Sequence, residues 1–139
     1  MVSDPQVLVI RVELSRLIVN ERSNEQVIWV QETDGERGFP ILVGVFEIAV
    51  IDRHLRDEVH ARPLTHDLLG SVLSELGGEL EHVIIDGVQG ETFFAKLHVR
   101  QGGVSLTIDA RPSDAIALAL RAGRSIFVAD DVMNTVCSR

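Results

Sequence analysis

Across residues 6–14, Leu8, Ile10, Val12 and Leu14 alternate with Arg11 and Glu13, the period-two pattern of a strand with one buried face. A β-prone run at 27–30, turn chemistry around Asp34, Gly35 and Gly38, and the apolar run 39–43 together predict strand, turn, strand. From Val45 the period changes. Ile48, Ala49, Asp52, Arg53, Arg56 and Asp57 fit a helix buried in its early turns and wet in its late ones, which sets Glu47 inside an apolar helix start. Pro63 ends any preceding helix, and Thr65 is the expected N-cap of the next. In that second helix Leu68, Leu69, Val72, Leu73 and Leu76 fall on one stripe, closed by Gly77 and Gly78. A strand at 79–86 and a turn bracketed by Gly87 and Gly90 follow. Then comes a hairpin: Phe93, Ala95, Leu97 and Val99 face one way, Gln101-Gly102-Gly103 turns, and Val104, Leu106 and Ile108 alternate again. Pro112 opens an alanine-rich helix to Ala122, ended by Gly123. A short strand at 125–129 and a helical turn led by Asp130 and Asp131 complete the pattern.

This order predicts an α+β fold, a mostly antiparallel or mixed sheet with about three helices, in a single domain spanning 1–139. Ala61-Arg62-Pro63 and Ala110-Arg111-Pro112 each precede a helix with an early aspartate, a glycine and a strand, as an internal duplication of a strand-loop-helix-strand unit would leave them. With 45% hydrophobic and 24% charged residues, the chain has the balance of a folded globular protein and not of a disordered one. The N-terminus shows no signal-peptide pattern, and the apolar run 39–51 is too short to span a bilayer, so a cytoplasmic protein without a membrane partner is expected. That run is expected to be core and subunit interface. Cys137 is the single cysteine, which excludes an intrachain disulfide framework.

A net charge of −8 repels a phosphate backbone, so tight passive binding of nucleic acid is not expected. An acidic chain can still act on nucleic acid where carboxylates hold a divalent cation or where its arginines cluster.

The segment 109–121, Asp-Ala-Arg-Pro-Ser-Asp-Ala-Ile-Ala-Leu-Ala-Leu-Arg, resembles the signature of the bifunctional nuclease family, and Arg62-Pro63-Leu64-Thr65-His66-Asp67-Leu68-Leu69 resembles a second motif of it. Pro40-Ile41 with Gly44 and Glu47, Thr92-Phe93-Phe94-Ala95 and Ile126-Phe127-Val128 follow in the family's order, so the resemblance runs from Pro40 to Val132. It implies an α+β fold, cleavage of DNA and RNA, and association into a homo-oligomer, with a dimer favoured. Ile48 and Val50 are bulkier than the small residues associated with that helix, and Phe94 stands where a tyrosine is common.

Phosphodiester hydrolysis needs an activated water, neutralisation of the pentacovalent phosphate and protonation of a leaving oxygen. Glu47, His66, Asp67 and Asp114 are the candidate catalytic residues, with His66 as the proton carrier; Arg62 and Arg111 are candidate phosphate ligands. Asp109 and Asp114 are candidate ligands for Mg²⁺ or Mn²⁺, in a site assembled in three dimensions because no linear metal motif is present. A purely structural reading competes with each. A carboxylate in a first helical turn gains roughly 0.3–1 kcal/mol from the helix dipole alone, which would account for Asp67 and Asp114. Arg62 and Arg111 would pair with those acids, and Glu47 in an apolar helix needs either a buried cation or a function. His54, His60, His82 and His98 sit among charged or solvent-facing positions and read as surface residues. The competing functional class is a non-catalytic oligomeric binding or regulatory module.

Overall fold

The computed structural model describes residues 8–137, so Gln6 and Val7 of the first predicted strand lie outside the described residues. The elements are β1 (Val9–Ile18), β2 (Gln26–Glu32), β3 (Gly38–Val43), α1 (Val45–Leu55), α2 (Thr65–Glu75), β4 (Gly78–Gln89), β5 (Thr92–Gln101), β6 (Val104–Ala110), α3 (Pro112–Ala122), β7 (Ser125–Ala129) and α4 (Asp130–Cys137). The strands form one seven-stranded sheet in the order β3-β2-β1-β7-β4-β5-β6. Every neighbouring pair is antiparallel except β4 and β7, which run parallel, so the fold is α+β with a mixed sheet.

The alternation read from the sequence decides which face is dry. Val12, Ile28, Val30, Phe39, Ile41, Val83, Ile85, Leu97, Val99, Ile126 and Val128 are all buried, on the face that receives the helices. Across this face lies α3, with seven of its eleven residues buried. Ala115, Ala117 and Ala119 are among them, and their small side chains let α1 pack closely against α3. From α1, Ile48 and Ile51 enter the core, so the bulk at position 48 fills space that the alanines leave. Phe39 stacks on Phe93 at 5.3 Å between ring centroids, which ties β3 to β5 although four strands separate them in the sheet. The sheet therefore curls around its helical layer.

Three features differ from expectation. The last helical turn is an eight-residue helix, α4, because Val132 and Met133 dock against the sheet and stabilise further turns. Leu64, not Thr65, is the N-cap of α2. There the Asp67 carboxylate reaches back to the Leu64 N–H at 3.0 Å, so the end of the helix is satisfied from its own first turn. The run 39–51, expected to be core and subunit interface, buries Phe39, Ile41, Ile48 and Ile51 and exposes Leu42, Val45 and Phe46. Of the expected duplication, only the helix-strand half recurs: α2 leads into β4, α3 leads into β7, and these strands are parallel neighbours. Before Arg62 the chain comes from α1 and a loop rather than from a strand.

Candidate active site

Three helices bring four ionisable side chains to one place. Arg111 leaves β6 with extended backbone and is the N-cap of α3; Pro112 fills the first helical position and puts Asp114 in the first turn. The Arg111 guanidinium folds back on Asp114 as a fork, Nε to Oδ2 at 2.8 Å and Nη2 to Oδ1 at 3.2 Å. From α2, His66 Nε2 lies 3.0 Å from Asp114 Oδ1. From α1, Glu47 Oε2 lies 3.9 Å from Arg111 Nη2. Glu47 folds back over the N-cap Gly44, where an added Cβ would collide with its Oε1. Burial alone would raise the Asp114 pKa, but hydrogen bonds from Arg111 and His66 outweigh it and hold the carboxyl below its usual range. The same contact with Asp114 raises the pKa of Arg111.

These groups stand at one end of an open groove of about 920 Å³. Its lining includes Glu47, Val50 and Arg53 of α1, His66, Leu69 and Leu73 of α2, Leu97 and Ile108 of the sheet, and Asp114, Leu118 and Arg121 of α3. Arg53, Arg111, Arg121 and Arg124 line it beside Glu47, Glu79, Asp109 and Asp114, so the formal side-chain charge of the lining is balanced in a chain of net charge −8. Local balance removes much of the penalty that the whole-molecule field sets on a phosphate.

The remaining candidates lie elsewhere. Asp67 turns away from Asp114 to accept the Leu64 N–H and the Arg121 Nε, the latter at 3.2 Å. The Leu64 hydrogen bond, ahead of Arg121, keeps its pKa low. Arg62 is exposed in the loop before α2, outside the groove lining, and makes no ion pair with a described residue. Asp109 reaches the groove rim, but its side chain is 79% exposed and pairs with Lys96 at 3.5 Å. The expected Mg²⁺ or Mn²⁺ does not fit these side chains. Asp109 and Asp114 are paired with cationic residues, and no three His, Cys, Asp or Glu side chains among the described residues are grouped to hold an ion.

Sequence reasoning gave no site role to Arg53, Arg121, Arg124 or His54. Helical spacing carried a signal for the first, because Phe46, Val50 and Arg53 recur at four and three residues and all reach the groove. His54 is half-buried, its Nε2 is buried without a hydrogen-bond partner among the described residues, and this burial depresses its pKa. The expectation of a surface histidine fails there. It fails also for His82 and His98, which are half-buried and stack at 4.6 Å between ring centroids on β4 and β5, with Phe127 edge-on to His82.

The model of the bifunctional nuclease domain matches residues 28–138, a span that holds all of these side chains, and the chain belongs to that family. It is similar to uncharacterized proteins from two strains of Mycobacterium tuberculosis, each 36% identical over 115 residues, covering 83% of this chain and 68% of the relative. Among the described residues no helix is long and apolar enough to cross a membrane.

Proposed function

We propose that the chain is a nuclease hydrolysing phosphodiester bonds of DNA and RNA, with Asp114, His66, Arg111 and Glu47 at the reacting end of the groove. The observation that carries this reading is the 3.0 Å contact between His66 and Asp114, in a groove that four arginines line. An ionised carboxylate has no proton to give, so His66 Nε2 carries the hydrogen and Nδ1 the lone pair. His66 then accepts a proton from an attacking water at Nδ1, Asp114 stabilises the imidazolium so formed, and solvent protonates the leaving oxygen. Water as nucleophile requires no 2′-hydroxyl, so one site serves both polymers. Arg111 retains Nη1 for a phosphate oxygen while its other nitrogens hold Asp114. Arg53 lines the groove without an ion pair to a described residue and is the second phosphate ligand.

Labelled single- and double-stranded DNA and RNA, incubated with purified protein in EDTA, Mg²⁺ or Mn²⁺, test the reading. Cleavage is expected to fall at least 100-fold in His66→Ala and in Asp114→Ala. Undiminished cleavage in the double variant would rule this site out. A binding or regulatory module is the second reading, favoured by one observation: Glu47, Asp67 and Asp114 each already face an arginine. Binding of labelled oligonucleotide without turnover under every ion condition would select it.

A further inference from the structure

The body of the groove is more apolar than its reacting end. Beyond His66 and Asp114 its walls include Val50 of α1, Leu69 and Leu73 of α2, Leu97 and Ile108 of the sheet and Leu118 of α3. Charge alone does not draw a polyanion into it. The chain carries −8 overall, and three of the four arginines on the lining are already engaged: Arg111 with Asp114, Arg121 with Asp67 and Arg124 with Glu79. Arg53 and the free Nη1 of Arg111 are what remains for phosphate, whereas proteins that bind through the backbone neutralise many phosphates at once. A polynucleotide held here gains its affinity from another part of its structure, and the apolar walls offer contact to bases.

That requirement discriminates between forms of nucleic acid. In a duplex the base faces are stacked on one another, and only edges, sugars and phosphates point outward; in a single strand a base is free to leave the stack and lie on an apolar or aromatic surface. The groove has such a surface. Phe46, in the first turn of α1 and one residue before Glu47, lines the groove and is 80% exposed. Phe39 lies on Phe93, Phe127 meets His82 edge-on and Arg16 covers Trp29, but no ring or cation lies over Phe46 among the described residues. A ring so little buried contributes little to the stability of the fold. Val50 and Arg53 follow it on the same side of α1, so a ring, an aliphatic side chain and a guanidinium stand in a row along the groove. An aromatic face for the base beside a cation for the backbone is the combination by which single strands are held.

We infer that Phe46 is a base-stacking subsite: an unpaired base of a single strand lies on its ring, and the adjoining phosphates fall to Arg53 and Arg111. The polymer that the groove takes is then single-stranded DNA or RNA, a choice that the reacting groups alone do not make. For the identity of the ligand, the inference rests on the nuclease reading.

Fluorescence anisotropy of a labelled strand of about ten nucleotides, titrated with the full chain carrying His66→Ala to prevent turnover, tests the subsite. The single strand is expected to bind about tenfold or more tighter than a duplex of the same length, and than a strand of the same length made of abasic nucleotides. Adding Phe46→Ala should weaken the single strand about tenfold and leave the duplex and the abasic strand unchanged, while Phe46→Trp keeps the preference. The slope of log affinity against log salt should be no steeper than about −1.4, two phosphates at about −0.7 each. Should Phe46→Ala fail to fold, Phe46→Leu, which keeps apolar bulk without a ring, carries the same comparison. Equal binding of the single strand with and without the ring overturns the inference, as does an abasic strand bound as tightly as the normal one or a failure to bind single strand at all. A change of mass in light scattering of Phe46→Ala also overturns it, because the ring would then belong to a contact between copies. Cleavage by the chain with His66 intact is scored apart. Base-dependent binding through Phe46 without turnover sustains the subsite and sinks the nuclease reading, and turnover indifferent to Phe46 does the reverse.

Discussion

Asp114 receives a guanidinium fork on one side and an imidazole on the other, and its low pKa records how strongly both favour the charged carboxylate. The sign for stability follows. A carboxyl whose folded pKa is depressed contributes fully above its unfolded value of 3.8, and that contribution is lost as pH falls through the folded value. Asp67 is shifted in the same direction. Denaturation at pH 7 and at pH 3 should therefore show a smaller stability difference in Asp114→Asn and Asp67→Asn than in the wild type; an unchanged difference would refute the assigned pairings. His66→Gln should retain the fold and lose cleavage, because an amide in place of the imidazole contacts Asp114 without accepting a proton at pH 7.

At the scale of elements, the second and third helices make opposite use of their apolar residues. α3 is pressed into the core through alanines, so Ala119→Leu should overpack it and cost about 1–3 kcal/mol in chemical denaturation. α2 touches α3 and β4 but buries nothing completely, and Asp67 holds its start through the Leu64 N–H and Arg121. Asp67→Ala should cost about 0.5–2 kcal/mol and raise amide exchange in the first turn of α2. The helical stripes, the strand alternation and the Pro112 start of α3 were all legible, because periodicity records which face a local element buries. That Leu64 rather than Thr65 caps α2 was not legible: Thr65 has the chemistry of a cap, but Asp67 at the third helical position accepts the Leu64 N–H and starts the helix one residue earlier. The stripe of α2 was legible, but that Leu68, Leu69, Val72 and Leu76 of it are exposed while Leu73 packs against the core was not, since periodicity gives the direction of an apolar face and not what covers it.

For the molecule as a whole, three histidines share one acid response. Burial leads the shifts that depress the pKa of His54, His82 and His98, so each is kept neutral in the fold to lower pH than in the unfolded chain. Their contribution is complete above 6.5 and declines as pH falls below it, toward the folded values. The melting temperature should fall as pH is lowered from 7.5 to 5.5, and less so in His82→Gln/His98→Gln; equal falls would contradict the assignment. The His82–His98 stack was unreadable in the sequence because alternation set His98 opposite Leu97 and Val99, and the pairing of β4 with β5 that brings His82 beside it is shifted by an irregularity between Leu80 and His82. Their stacking on each other, with Phe127 edge-on to His82, is what removes water from them.

By itself the sequence determined the element order, the α+β class and the family, because strand and helix periods and the two Arg-Pro motifs are properties of neighbouring residues. It also brought Glu47, His66, Arg111 and Asp114 into view as residue types suited to phosphate chemistry. Only the tertiary structure decided that these four meet, that Asp67 turns to Arg121 and the start of α2, and that Arg62 remains outside. The reason is geometric. Side chains 48 residues apart, as those of His66 and Asp114 are, become partners only when packing of the helices brings them within hydrogen-bond range, and no local pattern encodes that distance.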